Sequence, residues 1–280
     1  MSLHEYSTPR GVIAYDRRGF GDPVLLVHGI YPGASHNEFA LNVRALQQSH
    51  TVYTVNLLGF GQSDVPRISH NGQLHQHILR DFTTDVISAP VHVIASGVSC
   101  GIAARMGVYD DPIVRSLVLL SPTTKEQYHE VPGLADKFAH FFLGTLAAGY
   151  SIYEVDASDE GLDFWIRENY HDPKRVPRDK IKQLFFEAHE PHKMMAHISL
   201  LCGYFDTDLA NWLPYTRSRV QVIMGEDLMP IPQADWFRRG QWSKEKRLDV
   251  VANAKSFPHE EQSAQVNELI QDFLSFSTAS

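Results

Sequence analysis

Six short apolar runs punctuate the chain: Val24–Val27, Val52–Val55, Val91–Ile94, Leu117–Leu120, Val220–Met224 and Leu248–Val251. Each is continuous rather than alternating and too short for a typical helix, the pattern of strands buried on both faces of a parallel sheet. Stretches with helical spacing lie between them, as parallel strands require crossover connections. The clearest closes the chain. Val266, Leu269, Ile270, Phe273 and Leu274 recur at i, i+3, i+4, i+7 and i+8 and predict a helix docked through one apolar stripe.

The rhythm breaks between Leu120 and Val220. This interval has helical segments, such as Asp179–Ala188 and Met194–Tyr204, and Pro or Gly punctuation at Pro132-Gly133, Asp172-Pro173 and Pro177. Helices inserted between two core strands predict a cap over the strand ends, where ligands of open α/β sheets bind. The expected architecture is α/β: a mostly parallel central sheet with helices on both faces, a core of residues 1–121 and 208–280, and a helical cap insertion at 122–207.

Gly97-Val98-Ser99-Cys100-Gly101 follows the Val91–Ile94 strand and precedes a helical stretch, Ile102–Val108. This is G-x-S-x-G in strand–turn–helix context, the pattern of a nucleophile elbow. It assigns Ser99 as nucleophile and the backbone N–H of Cys100 as an oxyanion donor at the positive end of the helix. His28-Gly29-Ile30 closes the first core strand, so the N–H of Ile30 is the second expected donor, with the His28 side chain pinning the loop.

The run VLLVHGIYPGAS, then NLLGFGQSD (Asn56–Asp64), GVSCG, GEDLMP (Gly225–Pro230) and FPHEEQS (Phe257–Ser263) resembles an α/β-hydrolase over nearly the whole chain. The cap text RENYHDPKRVPRDKI (Arg167–Ile181) resembles caps of small-molecule α/β-hydrolases, including pheophytinase-like and carbon–carbon bond hydrolases. The resemblance implies an acid after Met224. Asp227 is the candidate, with Glu226 as fallback, although the family pattern places its aspartate one residue further on. It implies a base before the last helix. There Ser256 holds the family's histidine position, and His259 is the histidine that remains after the acid loop. Asn56 stands where the family commonly has aspartate.

Two readings follow. In the first, Ser99, His259 and Asp227 form a triad that hydrolyses a small, fairly hydrophobic ester, thioester or ketone, inside a chamber lined by cap aromatics such as Phe141, Phe142, Tyr150, Tyr153, Phe164 and Trp165. In the second the triad is incomplete, and the pocket serves a lyase, cyclase or isomerase, or a ligand-binding protein on a degenerate hydrolase scaffold.

Bulk properties narrow the partners. The 280 residues carry a formal net charge of −8, which argues against nucleic acid. No run approaches the roughly 20 apolar residues that span a bilayer. Two cysteines, Cys100 and Cys202, exclude a disulfide framework and fit a cytoplasmic protein. His189, His192 and His197 are close in sequence but lack zinc-site spacing, so no metal and no cofactor is expected. The expected partner is a small-molecule substrate; a homo-oligomer is left open.

Overall fold

The computed structural model describes residues 3–110, 112–123, 147–189, 193–205, 212–228 and 246–275, together with 139, 143 and 209. Among them, eight strands form one sheet in the order β1-β2-β4-β3-β5-β6-β7-β8. The six apolar runs are the parallel part: β3 (Asp22–Val27), β4 (His50–Val55), β5 (Val91–Ser96), β6 (Val114–Leu120), β7 (Arg219–Gly225) and β8 (Lys246–Val251). Val24, Leu25, Val27, Val93, Leu117 and Val222 are fully buried, as continuous apolar strands should be.

Two further strands escape the apolar pattern. β1 (His4–Thr8) and β2 (Gly11–Arg18) form a hairpin that pairs antiparallel with β4 at the sheet edge. An edge hairpin with one wet face needs few apolar residues; here only Ile13 and Ala14 are buried. The sheet is thus mostly parallel, as expected.

Helices α1 (Ala40–Leu46), α2 (Gly72–Phe82) and α3 (Ser99–Tyr109) cross between the strands. The interval expected to form the cap contains α4 (Ala147–Asp156), α5 (Asp159–Glu168), α6 (Arg178–Ala188) and α7 (Met194–Leu201), with no strand among its described residues. The chain ends on α8 (Pro258–Glu261) and α9 (Ser263–Ser275), the latter burying Val266, Ile270, Phe273 and Leu274 as its stripe predicts. Among the described residues no helix is long and apolar enough to cross a membrane.

Gly33 is where α6 meets the β3–α1 loop. Its φ is +77°, and a Cβ there would stand 2.2 Å from the backbone oxygen of Leu184. Gly33→Ala therefore meets both a left-handed backbone and a clash with main chain that cannot rotate away. We expect a loss of about 1–3 kcal/mol, read as a lower urea midpoint. An unchanged midpoint would show that α6 does not rest on this loop.

Candidate active site

Strand β5 runs to Ser96, paired with Leu120, two residues beyond the end its apolar run suggests. The turn therefore falls on Gly97 and Val98, and Ser99 is already helical. Gly97 has φ +54° and donates its N–H to Leu120 O at 3.0 Å. Gly97 thus holds the sharp strand-to-helix turn where a nucleophile elbow carries its reactive side chain. A Cβ on Gly97 would meet no atom within 4 Å.

Ser99 stands two residues past that turn. It is completely buried, and its hydroxyl donates to His28 O at 2.6 Å. Cys100 N–H donates to Gly97 O at 3.2 Å, and its thiol, pushed up by burial, contacts Ala95 O and Leu120 O. The expected placement of Ser99 and of the Cys100 N–H is thereby corrected. Two overlapping small-x-x-x-small frames exist, Ala95–Ser99 and Gly97–Gly101, and the longer strand selects the first.

A cavity of about 210 Å³ opens above this turn. Gly29, Ile30, Ser96, Gly97 and Val98 line one side, and Ser121, Pro122 and Thr123 follow β6. Trp165 and Asn169 come from the cap interval, and Leu228, Ser256 and Phe257 from the loops after β7 and β8. Among the described residues the N–H groups of Ile30 and Val98 have no acceptor. Both residues line the cavity, and Cys100 does not.

The three expected triad residues do not meet in a hydrogen-bonded set. His259 is fully buried, and its Nε2 lies 3.1 Å from Glu38 Oε1. Asp227 is half-exposed and accepts from His171 Nδ1 at 2.8 Å, while Glu226 is exposed. Ser256, at the family's histidine position, lines the cavity and donates its hydroxyl to Asn169 Oδ1 at 2.8 Å. Leu228 also lines it, one residue past Asp227 where the family pattern puts its acid. Gly97, Leu228 and Ser256 line the cavity, whereas Ser99, Asp227 and His259 do not.

Sequence reasoning missed Glu38. It is buried, and its Oε2 accepts from Gly29 N–H at 2.9 Å and from Tyr31 OH at 2.8 Å. Burial alone would raise its pKa. The hydrogen bonds from His259 and Ser96, with the nearby His259 and His28, bring it down to about 2 instead. The carboxylate is thus ionised and can only accept, so His259 Nε2 carries the proton between them. Glu38 fixes the Gly29–Ile30 peptide and so orients one of the two free N–H groups. Glu38 lies on a short helical turn, His36–Phe39, whose mostly polar residues carried no signal of a buried acid.

His28 pins the loop as expected. Its Nε2 accepts from Leu57 N–H at 3.1 Å, leaving Nδ1–H to donate to Gly29 O at 2.6 Å. Burial lowers its pKa to about 4, and burial does the same to His92. Both folded values lie below the ordinary 6.5, so the unfolded chain binds more protons as pH falls from about 6.5 to 4. Their contribution is complete above pH 6.5 and is lost through that window. We expect urea unfolding to be easier at pH 5.0 than at 7.5, by on the order of 2 kcal/mol per histidine. Equal midpoints would contradict a neutral, buried His28.

Of the cap aromatics named from sequence, Trp165 lines the cavity and stacks on Tyr31 at 4.7 Å. Tyr153 is buried and donates to Ala188 O, whereas Tyr150 and Phe164 are exposed. Phe141 and Phe142 lie outside the described residues, as does His192. His189 stacks on Phe185 and His197 contacts Asp156 at 2.8 Å. Among the described residues no group of three or more His, Cys, Asp or Glu side chains could hold a metal ion.

Residues 24–269 match the model of the alpha/beta hydrolase family. Among solved structures, a serine hydrolase involved in carbazole degradation, the CarC enzyme, is 16% identical with TM-score 0.77, over 98% of this chain and 100% of that one. The enol-lactonase from Burkholderia xenovorans LB400 is 13% identical with TM-score 0.72, over 97% and 100%. At that identity both show the fold alone. Among curated relatives, a dihydrolipoyllysine-residue acetyltransferase component of an acetoin cleaving system from Cupriavidus necator is 31% identical over 125 residues, 43% of this chain and 32% of its own length. An uncharacterized protein of Mycobacterium tuberculosis is 29% identical over 108 residues, 39% and 31% of the two lengths. The match thus spans about a third of each of these curated relatives. The family model covers most of the chain, the sheet order and strand-end cavity agree with it, and the chain belongs to the α/β-hydrolase family.

Proposed function

We propose that this protein binds a small carbonyl compound in the cavity above Gly97 without forming a covalent acyl intermediate. One observation carries the reading: the elbow position is Gly97, which offers the cavity no nucleophile, while the serines on either side, Ser96 and Ser99, spend their hydroxyls on Glu38 and on His28 O. Covalent catalysis needs a nucleophile beside an activating base. The described cavity-lining residues include neither a carboxylate nor an imidazole. What supports binding is the retained pair of N–H donors, Ile30 and Val98, facing a cavity with apolar walls from Trp165, Leu228 and Phe257. Two donors beside an apolar wall suit a ligand with one carbonyl oxygen and a hydrophobic body.

The serine-hydrolase alternative requires Ser99 to leave His28 O and a base to reach it. The test is hydrolysis of 4-nitrophenyl butyrate by the wild type and by Ser99→Ala. We expect both to match the buffer rate. Turnover in the wild type that Ser99→Ala abolishes would overturn the proposal. Ser99→Ala removes one buried hydrogen bond and is expected to cost about 1 kcal/mol of stability.

A further inference from the structure

Among the described residues lining the cavity, all but one of the hydroxyl groups are already committed as donors. Tyr31 OH donates to Glu38 Oε2 at 2.8 Å, Ser121 Oγ to Lys255 O at 3.3 Å, and Ser256 Oγ to Asn169 Oδ1 at 2.8 Å. The amide of Asn169 is fixed in this sense because its Nδ2 donates to Trp165 O at 2.8 Å. Ser96 gives its side-chain hydrogen bond to Glu38, whose carboxylate can only accept. A hydroxyl has one proton and two lone pairs. Each of these four therefore faces a ligand with lone pairs alone. Thr123 is the exception: its Oγ1 is buried and has no partner among the described residues, so it can turn either way.

The donors are few. Besides the Thr123 hydroxyl they include the N–H groups of Ile30 and Val98, the second amide proton of Asn169 and the indole N–H of Trp165. No described lining residue carries a carboxylate, ammonium, guanidinium or imidazole. We infer that the cavity selects a small neutral ligand with a carbonyl oxygen at one end and hydroxyl or N–H donors elsewhere. The inference deepens the proposed carbonyl pocket and rests on it. An ether or ester oxygen in place of the donor would meet lone pair against lone pair. A carboxylate would place a second acceptor among acceptors without a cation to neutralise it. Sites built to take a ligand's O–H or N–H reject analogues lacking it far more strongly than apolar pockets reject a missing methylene. Glu38 enforces the pattern, because an ionised carboxylate forces both Tyr31 and Ser96 to donate away from the cavity.

The test uses the purified full chain and three pairs of probes of a size suited to the cavity: 2-, 3- and 4-hydroxyacetophenone, each with its methyl ether, plus benzoate. Dissociation constants are read by ligand-observed NMR titration. The expected result is that the best hydroxy isomer binds at least about 10-fold tighter than its own methyl ether and than benzoate. Ser256→Ala, which removes one of the lone-pair partners, is expected to narrow that ratio for at least one isomer. Ethers that bind as tightly as the phenols, or benzoate as the tightest probe, would overturn the inference while leaving a carbonyl pocket in place. Failure of every probe to bind at millimolar concentration would overturn the pocket reading and this inference with it.

Discussion

Replacing His259 with alanine is expected to destabilise the protein by about 3 kcal/mol, although this histidine does not line the cavity. The reason is Glu38. Its carboxylate is buried, and His259 Nε2 at 3.1 Å is one of its hydrogen-bond donors, beside Gly29 N–H, Tyr31 OH and Ser96. Removing this donor leaves Oε1 of a buried carboxylate under-satisfied in low dielectric, which costs more than the loss of a neutral hydrogen bond. At roughly 2–4 °C per kcal/mol for a domain near this size, Tm should fall by about 10 °C. The loss should depend on pH. Glu38 is held near pKa 2 in the folded protein, so its contribution is present above its ordinary value of 4.5 and lost as pH falls toward 2. The gap between wild type and variant should therefore be widest at neutral pH and narrow below pH 4.5. His259→Gln, which keeps a side-chain donor, should recover part of the stability. A variant at position 259 as stable as the wild type would mean that Glu38 is not ionised by this contact.

The triple variant Gly97→Ser, Leu228→Asp, Ser256→His is expected to gain esterase activity. All three positions line one cavity, and the first has open space where its side chain would stand. The N–H groups of Ile30 and Val98 are already beside it. A positioned general base alone contributes about 10²–10⁴-fold, so hydrolysis of 4-nitrophenyl acetate should rise at least about 10²-fold over the wild type. Gly97→Ser alone should gain little, because a serine without a base is a weak nucleophile. The comparison variant, Ser256→His with Ser99 left in place, should stay at background. If it became active while the triple variant did not, Ser99 and not position 97 would be the elbow.

The parallel sheet was legible because its strands are continuous apolar runs, and α9 because its stripe repeats faithfully. The β1–β2 hairpin was not, since an edge ribbon with one wet face leaves no dense apolar mark. The elbow was misplaced by two residues for a different reason. Ala95 and Ser96 are too small to extend an apolar run, yet they pair with Leu119 and Leu120 and carry β5 up to Gly97. A motif that fits in two frames is decided by strand length, which composition does not report. His259 was drawn toward catalysis by elimination, whereas its partner Glu38 lies 221 positions away and only the fold brings them together. Ser256 was readable from the family register, and so was Leu228, one residue past the acid chosen from chemistry.

Fluorophosphonate labelling followed by intact-mass analysis tests the central claim most directly. Such probes add covalently to a serine activated as a nucleophile and leave an inert hydroxyl untouched. With Gly97 at the elbow and the Ser99 hydroxyl donated to His28 O, the protein should keep its unmodified mass after prolonged exposure. A stoichiometric adduct mapped to Ser99, and absent in Ser99→Ala, would contradict the account and restore the serine hydrolase.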